Sequence, residues 1–163
     1  KITKNLTVEK KNLPLRTGVG IIVINNQNKI FVAKRIDNPV DKWQMPQGGV
    51  DPGEELVDAM KRELIEETSI KSIKLLKEIN RWLEYELPKN LLGRIWKGKF
   101  RGQKQKWFIV KFIGSETEIN LKTKHPEFME WKWVEIDELI NVIVDFKKNV
   151  YKELIPEIKK IVI

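Results

Sequence analysis

Residues 48 to 70, GGVDPGEELVDAMKRELIEETSI, leave the chain little conformational choice. The paired glycines and the Asp51-Pro52-Gly53 turn interrupt regular structure. A Pro-Gly just ahead of an acidic run with helically spaced apolar residues marks a helix start. A helix is therefore expected from Gly53 or Glu54 to about Thr68. On it Glu63, Glu66 and Glu67 fall within an arc of about 100°, at ~100° per residue. Glu63 and Glu67 stand at i and i+4, where like charges destabilise a helix by a few tenths of a kcal/mol. Arg62, at i−4 from Glu66, offsets part of that. Three carboxylates so placed behind a glycine-rich loop suit a hard divalent cation held against a phosphate chain, because such ions take several oxygen ligands. A solvated acidic face is the plainer account, but it leaves the Glu63–Glu67 pair unexplained.

On either side of this segment the chain reads as strands and helices without strict alternation. GVGIIVINNQNKIFVAKR, residues 18 to 35, is two Ile- and Val-rich arms joined by a polar Asn-Asn-Gln-Asn turn. Residues 36 to 53 have turn character. Residues 72 to 87, 106 to 113 and 127 to 136 have strand composition, and the basic, glycine-punctuated stretch from Leu87 to Gln105 reads as a long loop or hairpin. Two helices follow, over 136 to 144 and 147 to 163. The second carries Val150, Leu154, Ile158 and Ile161 on one side, and Pro156 is expected to kink or delay it. The pattern predicts an α/β fold with a mixed β-sheet between helices. With no repeat or linker, the 163 residues are expected to form one domain, 1–163, with residues 1–14 as a flexible N-terminal segment.

Composition narrows the chemistry. There is no cysteine, which removes disulfides, thiolate metal sites and thiol catalysis and fits a reducing compartment. His125 is the single histidine, so a multi-histidine metal centre is excluded. It precedes a proline and reads as an incidental loop residue. No apolar run is long enough to span a membrane, and the polar N-terminus lacks the apolar core of a signal peptide. A cytoplasmic protein is expected. The net charge of +8 favours anionic partners such as nucleotides or RNA, although the lysine excess equally fits a compositional bias of the coding sequence.

The spacing Gly48, five residues, Glu54, seven residues, Arg62-Glu63-Leu64-Ile65-Glu66-Glu67, and then Ile70 resembles the box that defines the Nudix family. The resemblance implies an α/β/α sandwich and hydrolysis of a nucleoside diphosphate linked to another moiety, with Mg²⁺ or Mn²⁺. It makes Glu63, Glu66 and Glu67 metal ligands, has Arg62 orient them, and has Gly48, Gly49 and Gly53 shape the loop. Ser69 is the one departure. The family usually has glycine there to close the helix in a left-handed conformation, which serine adopts only with strain.

WQMPQGGVDPGE, FRGQKQKWFIVKF, INLKTKHPEFMEWKWVE and FKKNVYKEL extend the likeness to the family's bacterial RNA pyrophosphohydrolase group, also described as (di)nucleoside polyphosphate hydrolases. That resemblance implies removal of pyrophosphate from 5′-triphosphorylated RNA, with cleavage of diadenosine polyphosphates as the alternative. It adds Glu127 as a metal ligand or base, so that the catalytic set is Glu66, Glu67, Glu127 and Arg62. Arg16, Arg35, Gln47, Tyr85, Lys104 and Lys106 are candidates for holding a triphosphate or a base through cationic, amide or stacking contacts. Val144, Phe146 and Lys147 match a nucleobase pocket. Trp43, beside the loop, is expected to line the site, whereas Trp107, Trp131 and Trp133 read as core or sheet surface. A monomer is expected. All box carboxylates are present, which speaks against a catalytically dead nucleotide-binding module.

Overall fold

The computed structural model describes residues 12–37 and 40–162. Residues 1–11 of the N-terminal segment expected to be flexible lie outside the described residues. So do Asn38, Pro39 and Ile163.

Six strands form one mixed sheet: β1 (Leu15–Ile24), β2 (Ile30–Arg35), β3 (Gln47–Gly49), β4 (Ile73–Glu86), β5 (Gly102–Phe112) and β6 (Phe128–Val134). The order is β4-β5-β1-β2-β6, with β3 also paired to β1. The β1–β5 pair is parallel and the others are antiparallel. The β1–β2 pair is the expected hairpin, with Asn25 Oδ1 accepting the backbone N–H of Gln27 and of Lys29 across the turn.

Helices cover both faces. α1 (Leu56–Thr68) buries Ala59, Met60 and Leu64 against Val19, Ile21, Val23, Phe31, Phe108 and Val110. α2 (Leu139–Val142) and α3 (Lys148–Val162) cover the other face. There Val150, Tyr151, Leu154 and Ile158 pack with Ile22, Ile24, Trp107 and Ile109. Strand alternation explains the two cores, since successive β1 and β5 residues point to opposite layers. The arrangement is the expected α/β/α sandwich, a mixed sheet between helices.

Three expectations need correction. α1 begins at Leu56, because Gly53 has φ +76° and Glu54 is turned back toward Asp51. Glu54 donates its backbone N–H to the Asp51 carbonyl, and its own carboxylate accepts the Asp51 N–H at 3.0 Å. Gln47–Gly49, read as turn, is a strand. Its glycines suggested a turn, yet they allow the close pairing of Gly18 with Gly49 and of Val19 with Gly48. Pro156 does not delay α3, which starts at Lys148 and continues past it to Val162. It lies on the exposed side together with Lys152, whose carbonyl would otherwise accept the missing N–H, so water can satisfy that oxygen.

β1 shares one edge between two partners: β3 pairs with its first half, and β2 joins it only at Ile24. Tyr151 on α3 holds the segment entering β3, its hydroxyl accepting the Met45 N–H at 2.7 Å in the buried core. A bulge between Lys34 and Arg35 re-aims the end of β2 toward β6, where Ile36 donates its N–H to the Glu127 carbonyl at 2.9 Å.

Candidate active site

A cleft of about 1250 Å³ lies where α1, β3, the end of β2 and the 119–127 loop converge. One wall is acidic. Glu67 is buried on α1, and its Oε1 accepts the Gln47 backbone N–H at 3.2 Å. Burial first, then the interaction with the neighbouring Glu127 carboxyl and its negative charge, push Glu67 well above the usual carboxylate range. Glu63 is also raised by burial, against the pull of Arg62. Glycine at 48 leaves room for the Glu63 carboxylate, which a Cβ there would displace.

Arg62 is the hub behind this wall. Its Nε and NH2 donate to both Glu54 oxygens at 2.8 and 2.9 Å, and NH2 also donates to the Gly49 carbonyl at 2.9 Å. NH1 donates to Glu63 at 2.8 Å and to Glu66 at 3.2 Å. The Arg62 bond holds the Glu54 carboxyl down to about 2.

The opposite wall carries cations, amides and aromatic rings. The Tyr85 hydroxyl accepts from Gln103 Nε2 at 2.9 Å and Gln47 Nε2 at 3.2 Å, and Gln105 Nε2 donates to Gln47 Oε1 at 3.0 Å. Arg16 NH1 donates to Gln103 Oε1 at 3.3 Å, with its guanidinium 5.2 Å from the Trp96 ring. Arg35 forms a bidentate pair with Asp37 at 2.8 and 2.9 Å and stands 4.0 Å from Glu127. Phe146 packs on Tyr85 with ring centroids 5.7 Å apart. The Lys147 ammonium sits 5.4 Å and 5.7 Å from those rings and donates to Gln44 Oε1 at 3.3 Å.

Burial, reinforced by the charge of Arg35, lowers Lys147 from 10.5 to about 7. Between those values the unfolded chain binds more protons, so this lysine costs stability below pH 7 and the cost shrinks as pH rises toward 10.5. Lys147→Met is accordingly expected to unfold at higher temperature than wild type at pH 6, by an amount worth about 1 kcal/mol, with the gap narrowing at pH 9. Thermal melts across that range check it, and a variant less stable than wild type at pH 6 contradicts it.

The structure brings together Glu63, Glu66, Glu67, Glu127, Arg16, Arg35, Gln47, Gly48, Tyr85, Val144, Phe146 and Lys147 around the cleft. It does not bring four other candidates there. Lys104 and Lys106 point to the opposite sheet face, with their ammonium groups 5.4 and 5.6 Å from the Trp82 ring and Lys106 also 3.7 Å from Glu78. Trp43 is buried in the core, its ring under Lys132 at 4.2 Å. Gly49 lies behind the acidic wall, presenting its carbonyl to Arg62 and its Cα to the Arg16 guanidinium. Conversely, Gln103, Gln105 and Trp96 belong to the cleft region and were not singled out, and His125, read as an incidental loop residue, lines it. The alternation in GQKQKW held the signal for the glutamines: if Trp107 faces the core, Gln103 and Gln105 share its side and the lysines do not.

Among the described residues no three acidic side chains close around one point as a finished metal cage. Glu63 and Glu66 each lend an oxygen to Arg62. The donor set nevertheless fits a hard cation: it is all carboxylate, and two of its members are crowded enough to share a proton.

The family model for the NUDIX domain matches residues 14–157. The chain belongs to the Nudix family, hydrolases of phosphoanhydride bonds that generally need divalent metal ions. It is 60% identical to the RNA pyrophosphohydrolase of Pelagibacter ubique, over 93% of this chain and 96% of that protein. It is 49% identical to the RNA pyrophosphohydrolase of Rhodospirillum rubrum, over 90% of this chain and 88% of that one. Among solved structures it resembles the E. coli dihydroneopterin triphosphate pyrophosphohydrolase, with a TM-score of 0.69 and 19% identity over 88% of this chain and 99% of that one, a likeness of fold. No helix among the described residues is long and apolar enough to cross a membrane.

Proposed function

We propose that this chain removes pyrophosphate from the 5′-triphosphate end of RNA, leaving a 5′-monophosphate. The facing walls of the cleft, buried carboxylates opposite arginines, amides and a stacked aromatic pair, are the observation that carries this reading. The identity to the Pelagibacter and Rhodospirillum enzymes supports the choice of substrate. Water adds to a phosphorus of the triphosphate, one phosphoanhydride P–O bond breaks, and pyrophosphate departs.

Glu63, Glu66, Glu67 and Glu127 would hold Mg²⁺ or Mn²⁺. A bound divalent ion screens phosphate charge and makes a nearby water more acidic. The chain's own groups do the rest. Arg62 fixes the orientation of Glu63 and Glu66. Arg16 and Arg35 offer guanidinium groups to phosphate oxygens, a planar donor set suited to that geometry. Glu127, lining the cleft 4.0 Å from Arg35, would take a proton from the attacking water. Tyr85 and Phe146 give a base an aromatic surface, and Lys147 beside Gln44 offers it donors.

A dinucleoside polyphosphate presents the same polyphosphate and meets the same residues, so only competition separates the two. With 5′-triphosphate RNA and diadenosine tetraphosphate at equal Mg²⁺, kcat/KM is expected to favour RNA at least tenfold, a difference of about 1.4 kcal/mol. Equal or reversed preference would overturn the RNA assignment and leave the dinucleotide one.

A further inference from the structure

Ser69, the departure from the family pattern, adopts the left-handed conformation that glycine usually supplies, with φ 66° and ψ 6°. Its N–H closes α1 by donating to the Ile65 carbonyl at 2.9 Å. Its hydroxyl does something no glycine can: Oγ donates to the Asn120 carbonyl at 2.8 Å. Asn120 in turn donates its N–H to the Thr68 carbonyl at 3.0 Å, so its backbone is held from both sides by the end of α1.

Asn120 is the last firmly held residue before the cleft loop. Upstream, the Glu118 carboxylate accepts the N–H groups of Lys71 and Ser72, each at 2.8 Å, and the Ser72 hydroxyl at 2.6 Å. Downstream, Lys122 folds back onto the Asn120 side chain at 2.9 Å. Among the described residues nothing hydrogen-bonds Thr123 to Pro126, and the Thr123 hydroxyl is buried without a partner. The next anchor is Glu127, whose carbonyl accepts from Ile36. Thr123, Lys124, His125 and Glu127 all line the cleft. The loop is thus a span between two fixed ends, and Ser69 holds one of them.

We propose that Ser69 is a positioning residue that sets the path of the cleft-lining loop leading to Glu127. This rests on the proposed place of Glu127 in the catalytic set. Ser69→Gly separates positioning from helix closure, because glycine takes the left-handed conformation without strain and deletes only the hydroxyl. Its melting temperature should equal or exceed that of wild type. Its kcat on 5′-triphosphate RNA should fall about fivefold, the effect of one lost hydrogen bond, with KM within about twofold. In a Glu127→Gln background the same change should have no further effect on kcat, since residues acting through one another are not additive. Amide hydrogen exchange over residues 121 to 127 should be faster in Ser69→Gly than in wild type.

Unchanged exchange in that loop, or a loss of kcat that persists undiminished beside Glu127→Gln, overturns the proposal. If Glu127→Gln itself keeps full activity, the placing of Glu127 in the catalytic set fails, and the exchange measurement still decides whether Ser69 anchors the loop.

Discussion

Glu66→Gln is expected to lower kcat/KM on 5′-triphosphate RNA and on diadenosine tetraphosphate alike by about 10²–10³-fold, the range for losing one preorganised charged group at a reacting centre. Its melting temperature should stay within about 2 °C of wild type. The separation follows from where Glu66 stands. Its side chain is 58% exposed, and its one hydrogen bond is the 3.2 Å contact from Arg62 NH1. A glutamine oxygen can still accept that bond, and Arg62 keeps Glu54, Glu63 and the Gly49 carbonyl. What disappears is a charge, in a wall whose proposed task is to hold a divalent ion. Mn²⁺ affinity, measured by calorimetry on the variant and on wild type, should fall with the activity. Turnover near the wild-type rate would sink the placing of Glu66 among the ligands. A loss of activity with unchanged Mn²⁺ binding would move its role from ion to substrate.

The acidic helix face was legible from residue spacing, because a helix with known periodicity converts positions directly into directions. So was the β1–β2 hairpin, where a run of Ile and Val stops at four polar residues. The opposite wall was legible only in pieces. Arg16, Tyr85 and Phe146 come from β1, β4 and the segment before α3, and their meeting depends on the parallel β1–β5 pairing and on the place of β4 at the sheet edge. Nothing local encodes those neighbours. Lys104 and Lys106 illustrate the limit: their positive charge suggested phosphate contact, but alternation along β5 turns them to the far face, beside Trp82.

Ser69 marks the other boundary of a local reading. The strain could be foreseen, since φ 66° costs a serine about 1 kcal/mol relative to glycine. The offsetting hydrogen bond to Asn120 could not, because it joins residues 51 positions apart in the sequence. Trp96 and Lys97 are similarly left-handed, at φ 52° and 58°, in the loop that places the Trp96 ring over Arg16. At Ser69 and Trp96 a backbone conformation disfavoured for the residue comes with a tertiary contact beside the cleft.

Arg62→Lys is expected to be damaging in a different way, lowering both stability and rate. Arg62 makes five donor contacts through one rigid planar group, to Glu54 twice, Glu63, Glu66 and Gly49. A lysine ammonium is a single point with three donors, so it cannot span Glu54 on one side and Glu63 and Glu66 on the other. The melting temperature should fall by about 5 °C and kcat/KM by about 10²-fold, since two proposed ligands lose their orientation together with the loop carbonyl. The pH dependence separates this network from a general loss of packing. Glu54 is held at about 2 against an ordinary 4.5, chiefly by its bond with Arg62. A carboxyl lowered on folding contributes stability above the ordinary value, and that contribution drains away as pH falls from 4.5 toward 2. The wild-type advantage over Arg62→Lys should therefore be full at pH 7 and shrink between about pH 4.5 and 3. Melting curves of both proteins across that window decide the matter. A gap that stays constant would mean that Arg62 stabilises the fold through its apolar stem and the Gly49 carbonyl, and that its pairing with Glu54 contributes nothing measurable.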